Sequence, residues 1–397
     1  MVGAALAGCY YSALLATAAF QFDRNTAAST AMAARLVPYN SRYIARLADW
    51  EPQQRAVLLQ RATELNPFDS ASWIQLGFLT ELDRHDPQAA ERYYLKAATV
   101  DHMFQPKWTL TNFYFRRQNE DQFFRWARAT LAITPYAPDP VFTQMWLMTQ
   151  DAKRIEAAIP ERPRTLLQYA GFLASSKRFL SIPPIVQRLV DAVPAWDAHA
   201  WGRDDMLAEI EDRLLAEGYR DAALGVWASM SHARWIAGTI PTPHHPLTNG
   251  EFSLPFYGHG FDWVVATAAG VSIDLLPDKR SLRVTFSGDQ AEHCDVLRQY
   301  LPVEPGREYE MQWLATGLQI NTPSGLSWRV QPVPGLNTSA PSLFSGDILG
   351  GRTGVWRFRV PAATNLCALT LEYTRPLGAV RARGVVRLES ISLTGKS

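Results

Sequence analysis

The stretch LTNGEFSLPFYGHGFDWVV, Leu247 to Val265, gathers the residue types most able to do chemistry. His259 and Asp262 lie close in sequence and could act as an acid and a base in a hydrolysis. No nucleophile motif and no phosphate loop accompanies them, so a turn is the simpler expectation. His244 and His245 are adjacent, point apart on any regular backbone, and lack a nearby third ligand; they read as linker rather than as a metal pair. The run GDILGGRTG follows no strand-to-helix transition, so it is not a dinucleotide loop. Asn337 begins an NTS glycosylation sequon, a frequent chance match. No pair of carboxylates stands out as catalytic, and the expectation is a protein that is not an enzyme.

Composition bounds the partners. With 39 basic and 38 acidic residues the net charge is +1, so no global field attracts nucleic acid. A chain of 397 residues with 47% hydrophobic content suggests two or three packed domains. The three cysteines, Cys9, Cys294 and Cys367, match no zinc spacing. A Cys294–Cys367 disulfide is conceivable in an exported domain. Two buried thiols are the default, because Cys367 shares its parity with Leu369 and Leu371.

The first charged residue is Asp23. At about 1.5 Å per residue, a helix over residues 1–22 just spans a hydrocarbon core. It is expected to be a membrane-spanning anchor or an uncleaved signal-like helix, a mild one because of Gly3, Gly8, Ser12 and Thr17. Arg24, Arg35, Arg42 and Arg46 follow it, which by the positive-inside rule favours a cytoplasmic body.

Residues 30–240 carry a helical period. Trp73, Leu76 and Gly77 fall on one helix, and Ala90, Tyr94 and Ala97 on the next at i, i+4 and i+7. The pairs close at Pro67, His102 and Pro135, a repeat of about 34 residues, and Pro160 and Pro194 continue the series. This pattern resembles the tetratricopeptide repeat family, which implies an α-helical solenoid whose concave groove binds a protein or peptide. Asn112 departs from the pattern, standing where a small residue is expected. The unit between Pro135 and Pro160 is short. A plain spacer role is the competing expectation.

Residues 241–246, with Pro241, Pro243 and Pro246, form a linker. Beyond it the period becomes two. Leu282, Val284 and Phe286 alternate, as do Tyr309, Met311 and Trp313, then Leu326, Trp328 and Val330, then Trp356, Phe358 and Val360. Cys367, Leu369, Leu371 and Tyr373 follow, and then Val386, Leu388 and Ser390 alternate against Arg387, Glu389 and Ile391. This predicts an antiparallel β-sandwich over residues 247–397. The order of an Asn249-Gly250-Glu251-Phe252 opening, an aromatic Gly260-Phe261-Asp262-Trp263 turn, the EPGREYEMQWLA segment and a closing strand resembles the jelly-roll carbohydrate-binding modules of the galactose-binding-like group. The resemblance implies sugar binding through exposed aromatic platforms, for which Tyr257, His259, Trp263 and Phe344 are the loop candidates. Trp263 also enters a strand and so fits the core. A structural calcium is possible at Glu251 and Glu389, but the usual closing Asp pair is absent; no cofactor or metal is otherwise expected.

The expected fold is multidomain, α plus β: a membrane-spanning helix, a tetratricopeptide-type solenoid and a jelly-roll sandwich. The expected function is a non-catalytic, membrane-anchored scaffold in bacterial cell-envelope or exopolysaccharide assembly. Its array would bind a protein partner and its sandwich a polysaccharide. Because such sandwiches are usually exported, a periplasmic or extracytoplasmic body is preferred, the arginine bias being attributed to an incomplete N-terminus. The alternatives are a sandwich that docks on the array without binding sugar, and a hydrolase centred on His259.

Overall fold

The computed structural model describes residues 2–193, 203–276, 280–320, 323–333, 342–350 and 352–396; Pro194 and the Asn337 sequon lie outside them. The chain divides into two compact units, Met1–Pro160 and Glu161–Ser397. The division therefore falls inside the helical region and not at the proline-rich linker. The last helices and the sandwich form one unit.

The first unit is a series of helices: α1 (Val2–Asp23), α2 (Ala27–Leu36), α3 (Ser41–Trp50), α4 (Arg55–Leu65), α5 (Ser70–Leu82), α6 (Pro87–Val100), α7 (Phe104–Arg116), α8 (Glu120–Leu131), α9 (Asp139–Met148) and α10 (Ala152–Ala158). Short polar residues start most of them. Thr26 forms a capping box with Ser29, and Asn40, Asp69, Asp86, Asn119 and Asp151 each accept a first-turn amide. Consecutive helices pack as hairpins because the loops between them are short.

The large–small pairing expected of the repeat is present. A Cβ on Gly77 would collide with the ring of Tyr94, which is fully buried between α5 and α6. Ala90 and Ala97 are fully buried beside it. The Tyr94 hydroxyl donates to Glu81 at 2.8 Å, and Arg116 of the next hairpin closes on the same carboxylate at 2.7 Å. Burial is the main cause raising the Tyr94 hydroxyl pKa, so the phenol stays a donor. Asn112 replaces the expected small residue by bridging hairpins: its Nδ2 donates to Trp108 O, and its Oδ1 accepts from Gln144. The short unit before Pro160 reflects a seven-residue α10.

The anchor expectation finds no support in the helices. Among the described residues no helix is long and apolar enough to cross a membrane. Gly8, Ser12 and Thr17 dilute α1, and its C-terminal half belongs to the helical core. There Ala18 is fully buried, with Leu14 and Phe22 packed against the α2–α3 cluster.

The second unit opens with α11 (Pro163–Ser175), α12 (Ile182–Ala192), α13 (Arg203–Ala216) and α14 (Arg220–His232). Among the described residues ten strands follow: β1 (Val264–Val265), β2 (Val271–Leu276), β3 (Ser281–Phe286), β4 (His293–Pro302), β5 (Glu308–Leu318), β6 (Leu326–Pro332), β7 (Leu343–Phe344), β8 (Thr353–Arg359), β9 (Leu366–Thr374) and β10 (Gly384–Gly395). They form two antiparallel sheets, β1-β4-β9-β6-β7 and β2-β3-β10-β5-β8. The alternating residues fill the space between them, including Trp313, Trp328, Leu369 and Tyr373. Trp356 is only half-buried against this core. One alternation breaks. A bulge between Leu388 and Ser390 shifts the phase of β10, so Ile391 and Leu393 join the core where strict alternation would turn Ile391 outward. Cys294 faces Tyr373 across the ladder, while Cys367 faces Leu301. That register separates the two cysteines by about six residues of strand, roughly 20 Å, far beyond disulfide reach. Both thiols are free, and burial pushes that of Cys367 up to about 12.

The Gly77–Tyr94 contact makes a prediction. In an exposed helix, Gly→Ala stabilises by about 1 kcal/mol. Gly77→Ala should instead destabilise by about 1–3 kcal/mol, because the buried ring has nowhere to move. Urea denaturation of the two proteins gives the sign directly.

Candidate functional site

The Leu247–Val265 stretch is built as a folded turn rather than an open loop. Asn249 accepts the amides of Ser253 and Leu254 and donates to Leu254 O. Gly250 lies against Ile391, whose amide donates to Gly250 O at 2.8 Å; any side chain there would strike the β10 backbone. Trp263 is fully buried between Phe252 and Trp328, with Nε1 donating to Asn249 O. It offers no face to a ligand, so the platform role considered for it gives way to the core role.

Beside it the turn packs on the last two helices. Trp227 of α14 is fully buried, and its Nε1 donates to Thr239 O at 3.0 Å. The rings of Phe261 and Tyr257 meet it edge-on at 5.9 and 6.1 Å. Gly260 has φ +63° and sits so close that a Cβ would lie 2.7 Å from both Glu211 Cγ and the Trp227 ring. Only glycine satisfies both demands. Asp212 of α13 accepts the Gly260 amide at 2.9 Å and pairs with His259 Nδ1 at 2.7 Å. Arg220 reaches Val303 O at the far edge of the same seam.

His259 and Asp262 therefore do not form an acid–base pair. His259 is held by Asp212, while Asp262 accepts backbone amides, that of Tyr257 at 2.5 Å. Burial raises the Asp262 carboxyl pKa, opposed by the amides of Tyr257, Trp263 and Gly258. Tyr257 and His259 line the seam instead of a free loop. His244 serves the linker, its Nδ1 3.0 Å from Arg307 and its carbonyl accepting from Gly395.

Phe344 has a different setting. The core takes Trp328 and Val330 of β6 and Leu369 and Leu371 of β9, which turns Arg329, Gln331, Thr370 and Glu372 to the outer face of that sheet. Phe344 of β7 lies opposite Arg329 and is 56% exposed. Arg329 pairs with Asp295 at 3.0 Å and Glu372 at 2.8 Å, and its Nη1 donates to Gln331 Oε1 at 3.2 Å. The face thus presents one exposed aromatic ring beside fixed polar groups. Phe344 stands out in the sequence as an aromatic candidate, whereas the signal for its polar neighbours is the parity opposite the core residues of β6 and β9.

The same face holds the one group of three potential metal ligands found among the described residues: His293, Asp295 and Glu372. Its cationic position is already taken by the Arg329 guanidinium, and His293 Nδ1 bonds to Thr374. Both carboxylates are thus already neutralised by Arg329. Of the two calcium candidates, Glu251 pairs with Arg280 at 3.4 Å and Glu389 accepts from the Thr316 hydroxyl.

No protein-family model matches the chain, and no curated protein matches it in sequence. Solved structures show likeness at low identity. A CBM4 structure covers 37% of this chain and 98% of its own, at 10% identity and TM-score 0.28. Pseudomonas aeruginosa pilF covers 49% of this chain and 91% of its own, at 16% identity and TM-score 0.26. The enzymatically active domain of a bacteriophage tailspike protein covers 39% of this chain and 22% of its own, at 14% identity and TM-score 0.28. These likenesses assign no site residue to this chain.

Glu211 gives the seam a pH signature. Its carboxyl is fully buried with neither oxygen hydrogen-bonded, and burial, then the Asp212 charge, raises its pKa well above the ordinary value. Below the unfolded-state pKa of about 4.3 both states are protonated and no penalty arises. As pH rises past that value the unfolded chain ionises first, so stability falls until the folded-state pKa is reached. Glu211→Gln removes this slope. Its melting temperature should exceed the wild-type value by more at pH 8 than at pH 5; a constant offset would contradict a buried neutral acid.

Proposed function

We propose that the chain is a non-catalytic binding scaffold whose helical array takes a protein segment and whose sandwich takes a polysaccharide. The observation that carries this reading is the groove in the first unit. It is an open cavity of about 430 Å³ lined by Phe22 of α1, Arg42, Arg46 and Asp49 of α3, and Ser72 and Gln75 of α5. Arg42 lies over the Phe22 ring at 5.2 Å, and Arg46 pairs with Asp49 at 3.4 Å. With Asn66 and Asp69 also in the lining, the groove offers donors and acceptors of both signs around the Phe22 ring, which suits an extended peptide with polar side chains.

Phe344 supports the sugar-binding half. A pyranose ring has an apolar C–H face and a polar rim, and an exposed ring beside Arg329 and Gln331 matches both. The setting that accords with this pair of ligands is cell-envelope or exopolysaccharide assembly, with the body outside the cytoplasm. A C-terminal alkaline phosphatase fusion should be active in that placement; an inactive fusion alongside an active cytoplasmic reporter would reject it. A second reading, a sandwich that serves only to cap the helices, draws on the seam around Trp227.

Affinity gel retardation of the full chain on a polysaccharide panel separates the two. The sugar reading expects retention that Phe344→Ala lowers about tenfold, which is about 1.4 kcal/mol. No retention on any polymer favours the capping reading. For the groove, peptides selected on the full chain should lose at least about tenfold in affinity with Arg42→Glu/Arg46→Glu. Unchanged affinity would remove the groove from the proposal.

A further inference from the structure

The β9–β10 connection carries an exposed apolar tip that neither sheet uses. We propose that this tip is a membrane-contacting element that takes an anionic phospholipid surface. Pro376 to Ala379 form a tight turn closed by the Ala379 amide on Pro376 O at 3.0 Å, with Gly378 at φ +76°. Leu377 at its corner is fully exposed, and Val380 is 75% exposed.

Their exposure does not come from a loose loop. Ala382 is buried, its amide donates to the Tyr373 hydroxyl at 3.0 Å, and its carbonyl accepts from Gln290 at 2.7 Å. The turn is therefore pinned to the core while its two aliphatic side chains project. An ordered apolar projection gains nothing in water and is stabilised by entry into an apolar phase.

The surrounding charge selects the occupant. Arg381 and Arg383 are exposed, and neither has a carboxylate partner among the described residues. They line, with Thr285, Phe286, Gln319 and Val380, an open cavity of about 520 Å³ at the base of the tip. The nearby acid Glu292 is paired with Arg375 at 3.0 Å, and among the described residues Asp289 forms no ion pair with either arginine at the cavity. Two guanidinium groups behind an aliphatic tip match a lipid phosphate above its acyl chains. The tip also lies at the end of the sandwich away from α14, since Arg220 meets Val303 and Asn365 at the opposite ends of β4 and β9.

The test is co-sedimentation of the full chain with phosphatidylcholine vesicles, with and without phosphatidylglycerol. Other exposed apolar residues, such as Leu6 and Tyr10, could also bind lipid, so each variant is compared with the wild type. The wild type should partition more strongly onto the anionic vesicles. Leu377→Ser/Val380→Ser should lower that partition at least about tenfold. Arg381→Gln/Arg383→Gln should lower it about fivefold per arginine on anionic vesicles only. Unchanged melting temperatures confirm that the variants fold. No vesicle binding by the wild type, equal binding to both vesicle types, or variants that bind like the wild type would each overturn the proposal.

Discussion

The burial of Trp227 is the interaction on which the second unit depends. A stack of helical hairpins buries each hairpin against its neighbours, so the last one is left with an uncovered apolar face. In most such arrays a polar terminal helix solves this. Here α14 keeps an apolar face, with Ala223, Val226, Trp227 and Met230 all buried. Phe261 and Tyr257 of the sandwich's opening turn supply the missing cover for Trp227. The sandwich is thus a structural continuation of the helices, which accounts for α11–α14 falling in one compact unit with it.

That solution constrains everything near it. Gly260 must have positive φ and no side chain, and Asp212 must hold both the Gly260 amide and His259. Glu211, one residue earlier on α13, is forced into the seam without partners. Leaving a buried acid unpaired costs stability unless it stays protonated. The seam therefore places a strongly favourable aromatic contact directly beside an unfavourable polar one, as happens when a helix must satisfy a close backbone approach and a neighbouring position has no freedom to turn away.

Periodicity was legible because it is local. The spacing of Trp73, Gly77, Ala90 and Tyr94 and the alternation along β3, β6 and β9 follow from one element at a time. What escaped depended on partners far along the chain. Asp212 is 47 residues from His259, and nothing in the 247–265 stretch announces it. An aromatic, glycine-rich segment with a histidine and an aspartate has the same composition whether it lines a ligand pocket or packs against a helix. Phe344 was identifiable as an aromatic candidate, but its value as a platform rests on Arg329 lying opposite it, a matter of strand register. The bulge at Glu389 shows the same limit within one strand, since alternation alone assigns Ile391 to the wrong face.

The way the helices cap one end of the sandwich also determines where a ligand can approach it. The linker closes that end further, through His244 on Arg307 and Gly395. On the other sheet's outer face, Arg357 and Lys396 both close on Glu310, and Arg283 closes on Asp274. Strong coordination lowers the Glu310 carboxyl to about 2, with Lys396 as the leading cause and Arg357 next. The outer face of the β4-β9-β6 sheet also pairs its charges, but it adds an exposed ring at Phe344, and that ring is what a sugar's C–H face requires. The end of the sandwich that completes the helices and the sheet face that carries Phe344 therefore share no residues.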